Sequence, residues 1–378
     1  MNICGSNIEN IGWTIGNDCP YRCPHCYSHI VRNRGRNLEV ADADRIVSQL
    51  QKIGVKTVNL GGNEPIYTSG ADPRKTILPH IIRSLYEAKI AVGLTTAGIT
   101  LVYLERLFPD TIPMLNDIDI SLDSPFPNEH NKNRGAPLFN IALKAIAICR
   151  EYDIERTIIM CGMKWNLSDR HLDALIKLAH NNKALIRINF MKPTEAQHMS
   201  LVPQVDQFYH ACQVLFTQCK VVEMGEPLGS TVVGESSLGC PCGTKSFRIH
   251  SIDPMGRVPV SPCVYAHNYR VGDLLKEELP DIIASPQFEV FRRRRSNPET
   301  IGECTGCSYL LQCRGGCGSR SYLWSQLEGR NTPAQNARDP YCLREFKGDT
   351  ACPVPSRTKQ DIVLVHRDYL CTLIVDPS

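Results

Sequence analysis

From Ile11 to Cys219 the chain alternates β-branched runs with stretches of helical apolar spacing, and this alternation limits the folds open to it. Ile11 to Ile15 reads as a short strand. Asp42 to Ile53 repeats apolar residues at Ile46, Leu50 and Ile53 before Gly54 stops it, and Val55 to Leu60 follows as a strand, which completes a βαβ unit. Further helices are predicted at Lys75 to Ala88, Ile99 to Leu107, Phe139 to Glu151, Asp169 to Asn181 and Gln204 to Cys219. Strands are predicted at Ile90 to Thr96, Asp117 to Leu122, Arg156 to Cys161 and Leu185 to Phe190. Six such alternations predict an α/β fold whose parallel sheet curves into a partial (β/α)6 TIM-type barrel or closes into a full one. In a barrel of this kind the working loops gather at the C-terminal ends of the strands.

The first strand runs directly into Cys19-Pro20-Tyr21-Arg22-Cys23-Pro24-His25-Cys26, followed by Tyr27. Three thiolates this close suit a soft metal centre, yet they fall one short of the four that close a cubane cluster or a structural zinc site. A position left open keeps room for a reacting molecule. The plainer alternative is a zinc loop completed by His25 or His29. At the same mouth the second strand ends in Gly61-Gly62-Asn63-Glu64-Pro65, where paired glycines let backbone approach a ligand and Glu64 can accept hydrogen bonds from an ammonium group. The remaining strand tips are Thr95-Thr96-Ala97-Gly98, Ser121-Leu122-Asp123-Ser124, Lys164-Trp165-Asn166 and Lys192-Pro193-Thr194. Helix capping is the bland account of such residues, and it is the one expected for Ser168 and Ser124.

From Leu238 onward the texture changes to short Gly-, Pro- and Cys-rich segments, so a boundary is expected near residue 230. The expected units are residues 1–230, a Cys-rich unit at 231–352, and a strand-like tail at 353–378 whose alternation from Asp361 to Val375 predicts burial. His366, Arg367 and Asp368 read as a turn within it. Cys240, Cys242, Cys263, Cys304, Cys307, Cys313, Cys317 and Cys342 suffice for two four-thiolate sites, with a pair of zinc ribbons as the structural alternative. Of the other thiols, Cys149, Cys212 and Cys219 fall on apolar helix faces and read as small buried hydrophobes. Cys161 stands near the functional end of its strand, where a thiol can face substrate or donate a hydrogen atom.

Eighteen cysteines, no secretory signal in Met1 to Ile11 and no run of 18 apolar residues point to a cytoplasmic chain whose thiols bind metal rather than form disulfides. A net charge of +3 predicts no general attraction to nucleic acid, and no membrane association is expected. The basic run Arg292 to Arg295 reads as a solvated helix face.

With these residues assembled, the chain resembles the radical S-adenosylmethionine (SAM) superfamily, and within it the members with a C-terminal SPASM domain. The resemblance rests on the Cys-x3-Cys-x2-Cys loop after the first strand and on Cys304-x2-Cys307-x5-Cys313-x3-Cys317 followed by Cys342, and it covers nearly the whole chain. It implies a 4Fe–4S cluster on Cys19, Cys23 and Cys26, with SAM chelating the fourth iron. Reductive cleavage of SAM to a 5′-deoxyadenosyl radical follows, and the protein's task is orientation and exclusion of side reactions. Glu64 matches the acidic residue that helps place the SAM amino group. Asn63 stands between Gly61-Gly62 and Glu64, however, and if it displaces the carboxylate, Asn63 or backbone carbonyls do the holding. Ser121, Asp123 and Asn166 fall where related enzymes contact the ribose or methionine.

For the second unit the resemblance implies two auxiliary 4Fe–4S clusters. One takes Cys304, Cys307, Cys313 and Cys342; the other takes Cys242, Cys263 and Cys317, with Cys240 as fourth thiolate and Cys352 as a possible substitute ligand. Two such clusters give a substrate radical somewhere to lose an electron, which suits net oxidation. Relatives of this architecture mostly modify a short ribosomal peptide, so a peptide maturase is the first expectation, and a dehydrogenase or epimerase of an aminocyclitol or sugar is the alternative. Only about ten residues precede the first strand, which favours the small-molecule reading or a separate leader-binding protein. A flavodoxin or ferredoxin is the expected electron donor.

Overall fold

The computed structural model describes residues 8–29, 32, 35–234, 236–330, 333, 336–346 and 372–378. Its strands are β1 (Asn10–Trp13), β2 (Thr57–Leu60), β3 (Ala91–Thr96), β4 (Leu115–Ser121), β5 (Glu155–Gly162), β6 (Leu185–Phe190), β7 (Lys220–Met224), β8 (Ser246–Ile249), β9 (Val260–Ser261) and β10 (Leu373–Asp376). They form one sheet in the order β7-β10-β6-β5-β4-β3-β2-β1-β8-β9. β1 to β6 are parallel and each pairs with its predecessor in sequence. Strand-crossover-strand units of one hand lay such strands side by side and send every C-terminal end to one rim. The sheet is open, so the partial barrel is the form adopted.

The helices are α1 (Val40–Lys52), α2 (Leu78–Glu87), α3 (Ile99–Leu107), α4 (Pro127–Arg134), α5 (Phe139–Glu151), α6 (Asp169–Asn181), α7 (Val205–Gln218), α8 (Gly229–Val233), α9 (Leu279–Ile283), α10 (Pro286–Ser296), α11 (Leu310–Cys313) and α12 (Gly318–Leu327). α1 begins at a capping box between Glu39 and Asp42 and buries Ala43, Ile46, Val47 and Leu50 against the sheet. α5 and α6 bury Ile146 with Cys149, and Leu172 with Leu175, on the same principle. Cys149, Cys212 and Cys219 lie in the apolar core as expected.

Several elements depart from the sequence-based expectation. α4 has no apolar stripe, only the polar run Pro-Asn-Glu-His-Asn-Lys-Asn-Arg, so periodicity could not find it. β8 and β9, beyond residue 230, extend the sheet next to β1, with β8 parallel to it and β9 antiparallel to β8. From the tail, β10 slots between β6 and β7, antiparallel to both, and its Leu373, Ile374 and Val375 are buried. His366, Arg367, Asp368 and the rest of the predicted tail strand lie outside the described residues, as do Cys4, Cys352 and Cys371.

Arg292 to Arg295 is not a uniformly solvated face. Arg294 is 1% exposed and donates to the Ala337 carbonyl (2.8 Å), the Ser321 hydroxyl (2.8 Å) and the Gly315 carbonyl. A guanidinium can stay charged at such depth because its fork of donors meets fixed acceptors. Ser168 occupies the N-cap position of α6, but its hydroxyl is paired with His171 Nδ1 (2.7 Å) rather than with helix backbone. Ser124 accepts from the Phe126 N–H (3.1 Å) and donates to Glu129 (2.8 Å), closing the turn that leads into α4.

Candidate active site

The cysteine loop leaves the C-terminal end of β1 and is tied down by its own backbone. Asn17, 2% exposed, donates to the Ile252 and Arg36 carbonyls, and the Cys26 N–H closes a turn onto the Cys23 carbonyl (3.1 Å). Cys19, Cys23 and Cys26 are all partly exposed, and all three line one cleft at the sheet's C-terminal rim. Arg32 donates to Cys26 Sγ (3.0 Å) and to the Tyr21 carbonyl. The Ser28 hydroxyl lies 3.2 Å from Cys26 Sγ and donates to the Gly62 carbonyl (2.7 Å), which joins this loop to the next strand tip. The two histidines considered as zinc ligands are engaged elsewhere. His25 pairs with Asn133 (3.1 Å) and Asp123 (3.5 Å), and His29 with Glu195 (3.6 Å).

At the end of β2, Gly62, Asn63 and Glu64 line the cleft, while Gly61 stands behind it beside Thr95. Gly62 has φ +98° and lies so close to Thr14 and Arg248 that an added Cβ would sit 2.3 Å from each. Only glycine fits there. Glu64 is 5% exposed and accepts from the Ala97 N–H (2.9 Å), the Thr100 N–H (3.1 Å) and the hydroxyls of Thr100 and Thr96. Its carboxyl group thus fastens the end of β3 to the N-terminus of α3, and burial, outweighing these hydrogen bonds, raises its pKa above the usual value. Asn63 donates to the Gly16 carbonyl (2.7 Å). Both side chains flanking the paired glycines therefore brace loop backbone as well as facing the cleft.

β4 delivers Ser121 and Asp123 to the same cleft. Asp123 is fully buried, stands 2.7 Å from Arg134 Nε, and accepts from Asn133 (2.9 Å) and the Cys161 N–H (3.3 Å). Burial works against its charge, but Arg134 and then His25 and His130 outweigh it and hold the carboxyl well below the usual range. Burial also drops His25 to about 4, so this imidazole is neutral near pH 7. Asn166 is buried behind the wall, its amide donating to the carbonyls of Asp123 (2.7 Å) and Cys161 (2.9 Å). It ties the β4 and β5 tips together and is not among the residues that line the cleft.

The far wall comes from β5, β6 and the Cys-rich region: Cys161, Asn189, Met191, Lys192 and Tyr265. Burial, then the Asp123 charge, pushes the Cys161 thiol far above its ordinary value, so it carries its hydrogen at neutral pH. Tyr265, two residues past Cys263, reaches into the cleft edge-on to Tyr27 (centroids 5.2 Å apart), with Lys192 Nζ 4.8 Å from its ring centre. The cleft encloses ≈ 930 Å³ of space, open solvent at its mouth included. Of these wall residues, the sequence reading singled out Cys161 and the Lys192 strand tip. Tyr21, Arg32, Arg134 and Tyr265 were missed, because each depends on a loop or turn with no periodic signal.

The eight auxiliary cysteines are buried or partly buried. Cys240, Cys242, Cys263 and Cys317 share one buried cluster with Val264, Tyr265 and Phe291. Burial and, more weakly, the charge of Cys240 raise the Cys263 thiol, but hydrogen bonds from Cys242, Ser319 and the Tyr265 backbone together outweigh them and lower it. Cys304, Cys307, Cys313 and Cys342 likewise feel one another's charge. Among the described residues no three Cys, His or acidic side chains close to the spacing of ligands on a single ion. Thiolates of a cubane stand on separate irons and are spaced more widely, so four converging thiols with few competing donors fit a cluster. The three-thiol loop, with an arginine on one sulfur and an open cleft beyond, fits a cluster that keeps one iron for a ligand.

Residues 13–178 match the radical SAM superfamily and residues 240–308 match the SPASM iron–sulfur cluster-binding domain. The chain belongs to the radical SAM superfamily, in the group that carries a SPASM domain, and 4Fe–4S clusters and SAM are its cofactors. Mycofactocin maturase MftC of Mycobacterium ulcerans is 24% identical over 356 residues, spanning 88% of this chain and 87% of its own length. Streptococcus suis SuiB, solved with S-adenosylmethionine, superposes with a TM-score of 0.63 at 16% identity, over 88% of this chain and 76% of SuiB. anSMEcpe, solved with AdoMet and the Kp18Cys peptide, gives 0.66 at 16% identity, over 89% of this chain and 94% of its own. Among the described residues no helix is long and apolar enough to cross a membrane.

Proposed function

We propose that this chain is a radical SAM/SPASM oxidoreductase that modifies a peptide. The observation that carries the reading is the shared cleft: Cys19, Cys23 and Cys26 open onto the same space as Tyr265, which extends from the auxiliary ligand Cys263. Initiation and electron removal thus meet at one substrate. The peptide part is supported by the maturase name of the MftC relatives and by the fold neighbours SuiB and anSMEcpe, which have been solved with peptides.

Cys19, Cys23 and Cys26 would hold the cluster, which once bound would supply the electron for reductive cleavage of SAM and so the oxidising power for hydrogen removal from substrate. This chain's residues do the rest. Gly62 brings backbone to the ligand, and Glu64 and Asn63 keep that tip rigid. Asp123, locked by Arg134, Asn133 and the Cys161 N–H, fixes the β4 and β5 tips on which the wall stands. Ser121 and Asp123 line the cleft where they would face bound SAM, with Asn166 bracing their wall. Cys161, a protonated thiol on the cleft surface, faces the substrate, whose remaining electron leaves through the auxiliary clusters as a proton is lost. A flavodoxin or ferredoxin reduces the protein in the cytoplasm, and a separate leader-binding protein presents the peptide.

The test is co-expression with the short reading frames adjoining the gene. One encoded peptide should lose mass by pairs of hydrogen atoms. Unchanged peptides together with oxidation of an added aminocyclitol would replace the peptide reading with the small-molecule one.

A further inference from the structure

Away from the cleft, Arg320 of α12 is completely buried three residues after Cys317. Its guanidinium donates to Glu226 through Nη1 (3.0 Å) and Nη2 (2.9 Å), and to Asp339 through Nε (2.8 Å) and Nη2 (2.7 Å). Glu226 and Asp339 are 1% and 2% exposed. Tyr341 and Phe208 cover the cation, with ring centres 4.7 and 5.4 Å from its central carbon. Within the node two carboxylates face one guanidinium, while a second buried guanidinium, that of Arg294, donates to the adjoining Gly315 and Ala337 carbonyls and Ser321 hydroxyl. Buried ionic groups of this sort rarely add stability over apolar packing of the same volume.

What the group touches suggests another use. Asp339 Oδ2 accepts the Cys317 N–H (2.8 Å), and the Asp339 carbonyl accepts the Cys342 N–H (3.0 Å). The Arg320 N–H lies 3.4 Å from Cys317 Sγ. A Cβ on Gly316 would come within 2.4 Å of Asp339 Oδ2, so the carboxylate is pressed against the backbone that carries Cys317. Cys317 and Cys342 belong to different four-thiol sets, and Asp339 grips both. Glu226 reaches in from the segment between β7 and α8, outside the cysteine-bearing loops.

We propose that Glu226, Arg320 and Asp339 form a charged node that positions Cys317 and Cys342 and sets carboxylate groups between the two auxiliary clusters, which keeps their reduction potentials lower than they would be without them. The inference rests on Cys317 and Cys342 being cluster ligands, and it is independent of whether the substrate is a peptide. All three are positioning residues. A nearby negative charge disfavours adding an electron to a cluster, so removing that charge raises the potential.

The experiment is an EPR-monitored redox titration of anaerobically reconstituted full-length protein. Glu226→Gln keeps the shape and removes one charge. It should retain about twelve irons per chain and move an auxiliary midpoint upward by about 59 mV, a tenfold change for a one-electron couple, while the SAM-binding cluster stays put as an internal control. Arg320→Lys keeps the charge and loses the fork. It should hold the wild-type midpoints yet surrender auxiliary iron to a chelator several-fold faster. An unmoved midpoint in Glu226→Gln, or a wild-type chelator rate in Arg320→Lys, overturns the node. Equal midpoint shifts in both variants would assign the effect to geometry and overturn the electrostatic part. Wild-type protein holding only about four irons would remove the auxiliary clusters and the inference together. Because none of these readouts uses substrate, failure of the peptide reading would leave them unchanged.

Discussion

Replacing Asp123 with asparagine removes one charge of a buried pair and strands the other. Arg134 stands 2.7 Å away with its side chain 13% exposed, and Asp123 itself is fully buried. Breaking a buried pair from one side costs about 3–5 kcal/mol, chiefly through the uncompensated charge that remains. The asparagine amide keeps an acceptor for the Cys161 N–H, which places the expected loss near the lower end, about 3 kcal/mol. That is a sizeable part of the 5–15 kcal/mol typical of a folded domain, so the variant should fold but melt about 5 °C lower. Anaerobic thermal unfolding followed by near-ultraviolet circular dichroism measures this, with Arg134→Gln and the double variant completing a cycle. The folded-state pKa of Asp123 is depressed, so its contribution is present above the unfolded value of about 3.9 and is lost as pH falls through the folded one. The difference between wild type and variant should therefore be full at pH 7 and shrink below about pH 4. A variant within about 0.5 kcal/mol of wild type at pH 7, with additive effects in the cycle, would refute the ion-pair argument.

Gly62→Ala places a methyl group on Thr14 and Arg248 at a positive φ, so soluble yield should fall and SAM affinity, read by equilibrium dialysis, should drop at least tenfold. Cys161→Ala should leave deuterium transfer from labelled substrate into 5′-deoxyadenosine intact while the yield of oxidised peptide falls. Full product yield would exclude a role for the thiol at the substrate. Arg294→Met strips donors from the Gly315 and Ala337 carbonyls and should cost about 3 kcal/mol by denaturant titration, which a solvated arginine would not.

Much of the barrel was legible because its signals are local. Phe139–Glu151, Asp169–Asn181 and Leu185–Phe190 have the bounds the sequence predicts, the two helices because each buries an apolar stripe and the strand because it is a short run buried on both faces. The cysteine loop was equally readable, because ligand spacing along a short loop is itself the signal. α4 was not, yet its Asn133 and Arg134 hold Asp123, and nothing in a run of polar residues announces that their targets lie on another strand. Tyr265 and Arg320 share this property: their roles arise from segments brought together only by the fold. Arg294 shows the reverse error, where a basic run read as surface because its carbonyl partners are distant in sequence.

The cluster assignment at the mouth of the barrel is tested by replacing Cys19, Cys23 and Cys26 together with alanine. After anaerobic reconstitution, iron should fall from about twelve to about eight per chain. SAM cleavage under dithionite should vanish while the auxiliary EPR signals persist. Cleavage of SAM at the wild-type rate by that variant would contradict the account.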